Sequence, residues 1–147
     1  MNKNILVLVV LALIIIALTF ILFLPKNSEA PSQNNNNNAS GGIEIFSPKA
    51  NVVVMSPLKI TGKTSGNGWI GFEAQVGTVK LLDETGKVLA VGILTAQGEW
   101  MQQVVNFETT LSFTTPATTS GSLVFYNENP SGEAEKNKTF SLPVKFK

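Results

Sequence analysis

The chain contains no cysteine and no histidine in 147 residues. The missing cysteine excludes disulfides, thiolate nucleophiles, thiolate metal ligands, c-type haem attachment and a lipid carried on an N-terminal lipoprotein cysteine. The missing histidine excludes imidazole ligands, Ser-His-Asp and Cys-His catalysis, and the one side chain that ordinarily titrates near neutral pH. Charge is also scarce, at 14% of residues with a formal net charge of +1. No basic footprint for nucleic acid follows from such a balance. A lack of cysteine fits any redox compartment, so it does not locate the protein. After residue 42 there is no helical pattern of useful length.

The chain does carry one long apolar run. Residues 5–24, ILVLVVLALIIIALTFILFL, hold no charge and a single polar side chain, Thr19. As a helix at about 1.5 Å per residue they would reach roughly 30 Å, the thickness of a bilayer's hydrocarbon core. A core helix would show a polar face, and this run shows none. A signal peptide has a shorter apolar run, of about 7–15 residues, and a small-x-small cleavage site. The nearby Ser28-Glu29-Ala30 is followed by Pro31, a poor junction. Residues 1–24 are therefore expected to be an uncleaved single-pass membrane anchor; secretion after signal cleavage is the alternative.

Lys3 and Lys26 flank the run on either side, so the positive-inside bias is weak. Residues 25–42, PKNSEAPSQNNNNNASGG, are nearly free of apolar side chains and read as an Asn-rich disordered linker, with Asn34 and Asn38 bounding a plain spacer run. A flexible chain of that length spans on the order of 20–25 Å. A short tail, an anchor, a tether and a domain over 43–147 describe a module held off the outer face of the cytoplasmic membrane.

From Ile43 the apolar period becomes two. Ile43 and Ile45 alternate with Glu44, and Leu58 and Ile60 with Lys59, Thr61 and Lys63. Ile70, Phe72, Ala74 and Val76 form one face of a further expected strand, with Glu73 and Gln75 on the other. Phe140, Leu142, Val144 and Phe146 alternate with Ser141, Pro143 and Lys145 near the end. Alternation of this kind marks strands with one dry and one wet face. The turn signals SPKAN, TSGNG, DETGK, AQGE, TPATTSGS and ENPSGE separate them. About seven or eight short strands without interruption predict an all-β, antiparallel β-sandwich. The connections are too short to hold crossover helices.

The acids raise the question of catalysis. Glu73 lies about ten residues ahead of Asp83 and Glu84. A glycosidase needs two carboxylates held roughly 5–10 Å apart across a cleft. Asp83-Glu84-Thr85-Gly86-Lys87 sits between two apolar runs and reads as a β-turn with Gly86 at positive φ. Glu73 falls on a solvent face by parity. The turn-and-surface reading is preferred, and a hydrolase is the last of the three function classes.

Several segments in order carry a family signature: Ser47-Pro48, Ser56-Pro57-Leu58, Gly62, Phe72-Glu73-Ala74, Asp83 to Gly86, Leu123 to Tyr126, Asn129 to Gly132 and Leu142-Pro143-Val144. Together they resemble the immunoglobulin-like domain associated with bacterial spore germination, the second of the Gmad types, over essentially all of 43–147. The glycine-rich TSGNGW is longer than that pattern has at the same place. The resemblance implies an immunoglobulin-like sandwich in a membrane-anchored envelope protein, with no catalytic residues and no cofactor to carry over.

Six residues are candidates for facing a ligand: Trp69, Glu73, Tyr126, Asn127, Glu128 and Asn129. Trp69 shares the parity of Glu73, which places its ring outward as a stacking platform for a sugar; burial in the core is the commoner fate of so large a ring. Trp100 lies in EWMQQVVNF, which is apolar on both faces and leaves its side unassigned. Tyr126 is either a hydrogen-bonding corner tyrosine or a surface residue. Asn127, Glu128, Asn129, Glu133 and Glu135 gather oxygens, but their spacing matches no EF-hand loop, and Lys136 and Lys138 dilute the charge. Asn137-Lys138-Thr139 fits a glycosylation triplet only in composition. The reading is a noncatalytic binding or structural module. Its expected partners are the membrane through 5–24 and an envelope protein or wall polysaccharide, with carbohydrate binding through exposed aromatics as the second class.

Overall fold

The computed structural model describes residues 38–147. The expected anchor at 5–24 and all of the linker before Asn38 lie outside them. Among the described residues no helix is long and apolar enough to cross a membrane.

Eight strands form: β1 (Ala39–Ser40), β2 (Ile43–Ser47), β3 (Leu58–Thr64), β4 (Gln75–Asp83), β5 (Val88–Ala96), β6 (Val105–Leu111), β7 (Ser120–Asn127) and β8 (Thr139–Lys145), with one short 3₁₀ turn at Ala134–Lys136. Their hydrogen-bonded order is β1-β2-β3-β6-β5-β4-β7-β8. Every neighbouring pair is antiparallel, as short connections require.

The sheet folds over on itself between β5 and β6, which join through only Thr95↔Glu108 and Ala96↔Phe107. Beyond that point β6 crosses beneath β5. A Cβ built on Gly92 would lie 2.6 Å from Leu111 and 2.9 Å from Thr109. The result is two layers, β1-β2-β3-β6 and β5-β4-β7-β8, facing each other across one core. Ile45 and Ile60 enter that core from the first layer, and Val79, Leu81, Leu123 and Leu142 from the second, all fully buried. Their alternation along the chain is what the pleat converts into one dry face per layer. Burying each such side chain stabilises the fold by about 1.5–3 kcal/mol.

The chain between β2 and β3 changes layers. It leaves β2, is bracketed by Ser47-Pro48 and Ser56-Pro57, and lies parallel to β8, with Val53 opposite Lys145. Three backbone bonds fasten it: Asn51 N–H to Pro143, Lys145 N–H to Val52, and Val54 N–H to Lys145.

Asn38, read in the sequence as spacer, is a clamp. It is 6% exposed, and its side-chain amide donates to the carbonyls of Ile45 and Pro48 at 3.1 and 2.9 Å. Its Oδ1 accepts from Ala50 N–H at 2.9 Å. One side chain thus pins β2 to the start of the switching segment, which a featureless asparagine run does not disclose.

The Asp83 turn forms as expected, with Gly86 at φ 83° and its N–H bonded to the Asp83 carbonyl at 3.0 Å. The expected strand over 70–76 does not form before Gln75. Residues 72–75 instead close a tight turn, with Phe72 and Gln75 exchanging backbone bonds of 2.7 and 2.9 Å. Glu73 and Ala74 occupy its centre at φ 47° and 63°. Two central residues at positive φ give the turn the twist of a type I′ hairpin, normally built from Asn-Gly.

Candidate functional site

Three connections meet at one end of the sandwich: residues 65–74, 97–104 and 128–138. They follow β3, β5 and β7, whose ends the strand registers bring to the same level, with Thr64 opposite Val105 and Gly77 opposite both Leu94 and Asn127.

Trp69 organises this end from within. Parity alone would put its ring in solvent, but the commoner fate of so large a ring prevails: Trp69 is 3% exposed and belongs to the core. Its stretch is not a strand, so parity does not apply. Trp69 N–H bonds to the Gly66 carbonyl at 3.0 Å in a small loop of its own, which turns the ring inward. No sugar can stack on it. The exposed apolar side chains are its neighbours Ile70 and Phe72, together with Met101 and Val104 from the facing connection. Phe72 meets the half-buried Trp100 edge-on, with ring centroids 6.3 Å apart at 70°. Gly71 permits this approach, because a Cβ there would lie 2.4 Å from the Trp100 carbonyl oxygen. None of the four exposed residues stood out in the sequence as a site.

Asn127 ties two of the connections together. Its side-chain amide donates to the Gly68 carbonyl at 2.6 Å and to the Lys136 carbonyl at 3.1 Å. Its Oδ1 accepts from Lys138 N–H at 2.8 Å. Asn129 shapes the tip: its amide donates to the Glu133 carbonyl and to Asn137 Oδ1, both at 2.8 Å, and its Oδ1 accepts from Ser131 at 2.7 Å. The two asparagines therefore have their side chains committed to loop architecture.

A cleft of about 280 Å³ opens between the two tied connections, with Ile70 and Pro130 in its lining and Glu128, Glu135, Lys136 and Lys138 among its polar neighbours. Lys136 is paired with Glu133 at 2.8 Å, a surface bond worth little on its own. Tyr126 lies elsewhere, on the outer face of the β5-β4-β7-β8 layer, with the Lys80 ammonium 5.1 Å above its ring.

The carboxylates considered for hydrolysis, Glu73 with Asp83 or Glu84, are kept apart by the fold. Glu73 precedes β4 and Asp83 ends it, and the strand between has nine residues. At about 3.3 Å per residue that separation is roughly 30 Å, several times what a glycosidase pair tolerates. Asp83 is instead a turn keystone, 8% exposed. Its Oδ1 accepts from the Thr85 hydroxyl at 2.6 Å and from the Thr85 and Lys87 amides at 2.9 and 3.0 Å. The Thr85 hydroxyl chiefly holds its carboxyl below the usual range; partial withdrawal from water opposes this, and the two amides and the Lys87 charge add to the lowering. Among the described residues no cluster of acids is placed to hold a metal ion.

Two antiparallel layers with a segment switching between them define an immunoglobulin-like sandwich. A family model described as the immunoglobulin-like domain of bacterial spore germination matches residues 42–134. The chain belongs to that family. The match stops short of β8, which nonetheless completes the second layer through pairs such as Leu123↔Leu142. No curated protein and no solved structure matches the chain.

Proposed function

We propose that this domain is a noncatalytic, protein-binding module tethered to the cytoplasmic membrane by residues 5–24 and displayed on its outer side. The observation that carries the binding site is the loop end: a cleft with Ile70 and Pro130 in its lining, followed on the same connection by the exposed Phe72, and braced by Asn127. Contiguous exposed apolar side chains rimmed by polar ones favour association with another protein. The Phe72-Glu73-Ala74 turn adds a second reason. Two non-glycine residues at positive φ cost on the order of 1–2 kcal/mol each, and such strain concentrates at functional sites. An envelope protein is the partner favoured over a polysaccharide. Sugar stacking needs a flat open ring, whereas Trp69 is buried and Phe72 stands edge-on to Trp100.

The test places a photoreactive residue at Phe72 in the full chain and, separately, at Lys145. Defined cross-linked species from position 72 that vanish with Ile70→Asp, and are absent from position 145, support the site. Identical products from both positions, unaffected by Ile70→Asp, reject it.

A further inference from the structure

The side chains of 38–147 are neutral in sum but polarised along the sandwich. The three connections at the loop end hold five carboxylates, Glu73, Glu99, Glu128, Glu133 and Glu135, against the ammoniums of Lys136 and Lys138, a net side-chain charge of −3. The rest of 38–147 holds seven lysines against four acids, a net of +3. Ion pairs in the body of the sandwich do not relieve the loop end. Lys59 pairs with Glu108 at 3.0 Å and Lys63 with Glu44 at 3.1 Å. At the loop end Lys136 pairs with Glu133. Glu128 and Glu135 have no ion pair among the described residues.

These two carboxylates belong to the cleft. Both line it, Glu128 half-buried and Glu135 exposed, with Ile70 and Pro130 as apolar members of the same lining. Lys138 lines it as well, and its stem packs on Gly68: a Cβ built there would lie 3.0 Å from Lys138 Cε and 3.2 Å from its Cγ. One ammonium does not neutralise two carboxylates. The volume of about 280 Å³ falls just under the roughly 300–1,000 Å³ of small-molecule sites. That is room for one long side chain.

We propose that the cleft receives an arginine side chain of the partner protein, presented on a basic segment. The proposal rests on the loop end being the binding site, and it names the chemistry that site selects. A methylene stem suits Ile70 and Pro130. A guanidinium suits two unpaired carboxylates, which its fork of N–H donors can meet together. An aliphatic side chain would meet only the first requirement. An acidic segment would bring like charge to an end that already carries −3. The arginine cannot come from a second copy, because the chain contains none. The same field favours encounter with a basic partner, more strongly at low salt.

The test uses N-acetyl-arginine methylamide as probe and N-acetyl-citrulline methylamide as its uncharged isostere. Each is titrated into the isotope-labelled full chain in micelles of a neutral detergent, and backbone amide shifts are followed. The arginine probe should move the Gly68, Ile70 and Glu128 signals saturably at millimolar concentration, and the citrulline probe should bind at least about tenfold more weakly. Raising the salt to about 0.5 M should narrow that gap, since the screening length shrinks to a few ångströms. Glu128→Gln combined with Glu135→Gln should bring arginine down to the citrulline level with an unchanged melting temperature. Equal binding of the two probes, no saturable shift with either, or arginine binding that survives the double substitution overturns the proposal. The loop-end reading fails separately. Cross-links from position 72 to a segment without basic residues would leave that reading standing and remove the arginine. Arginine binding by a chain that gives no specific cross-link from position 72 would keep the preference of the cleft and remove protein binding.

Discussion

Asn127 donates its side-chain amide to the carbonyl of Gly68 at 2.6 Å, although 59 positions separate them. The bond spans from β7 to the loop after β3, and the same side chain also holds the backbone of Lys136 and Lys138. Rigidity of the candidate site therefore depends on one polar side chain in its lining.

Asn127→Ala should cost about 1–2 kcal/mol, since three backbone groups lose a partner but remain within reach of water. For a domain of this size that lowers the melting temperature by roughly 4–16 °C. The sharper readout is local: hydrogen exchange at the Lys138 amide, bonded to Asn127 Oδ1 at 2.8 Å, should accelerate well before global unfolding. Unchanged protection at Lys138 would contradict the bracing role.

Trp69 and Phe72 should separate stability from binding. Trp69 is buried among core residues, so Trp69→Ala should cost about 3–5 kcal/mol, through lost transfer energy and the cavity left behind. Phe72 is exposed, so Phe72→Ala should cost less than about 1 kcal/mol and act on partner capture instead. Thermal unfolding of both variants decides the matter. A Trp69→Ala protein as stable as the parent would mean that the ring is not in the core.

The strained turn gives a third expectation. Ala74 sits at φ 63°, where an L-residue pays about 1–2 kcal/mol that glycine does not. Glycine also adds about 0.4–1 kcal/mol of freedom to the unfolded chain. The difference favours Ala74→Gly by up to roughly 1.6 kcal/mol, read as a higher denaturation midpoint with the same denaturant slope.

Asp83 supplies a pH dependence whose sign is fixed. Its folded carboxyl is held below its ordinary value, chiefly by the Thr85 hydroxyl. A depressed folded value means that its stabilisation is present above the unfolded value of about 3.9 and is lost as pH falls through the folded value. Compared with Asp83→Asn, the wild type should be more stable at neutral pH, and the gap should close in acid below about pH 4. Parallel stability curves for the two proteins across that range would rule out the keystone role.

The sandwich was legible because most of its strands obey a period of two. Ile43 with Ile45, Leu58 with Ile60, and Leu142 with Val144 all point inward as their alternation requires. The turn at Asp83 was legible from an acid and a glycine at fixed offsets. What failed was the inference from parity through residues 69–76. Trp69 turns inward because its loop closes on Gly66, and Glu73-Ala74 turn the chain in a conformation their residue types disfavour. Tertiary contact with Trp100 and β5 overrides local preference there, with Ala96 N–H bonded to the Ala74 carbonyl at 2.9 Å. Asn38 was illegible for a different reason: it is the last of five consecutive asparagines, and only its three partners in space distinguish it from the others.

Display outside the cell underlies the whole functional reading, and the cysteine-free chain offers a direct probe of it. Lys49→Cys places a lone thiol at an exposed position of the domain. A membrane-impermeant maleimide should label that thiol on protoplasts with intact membranes, as fully as it does after lysis. Labelling that begins only once the membrane is broken would put the domain in the cytoplasm and contradict the outward tether.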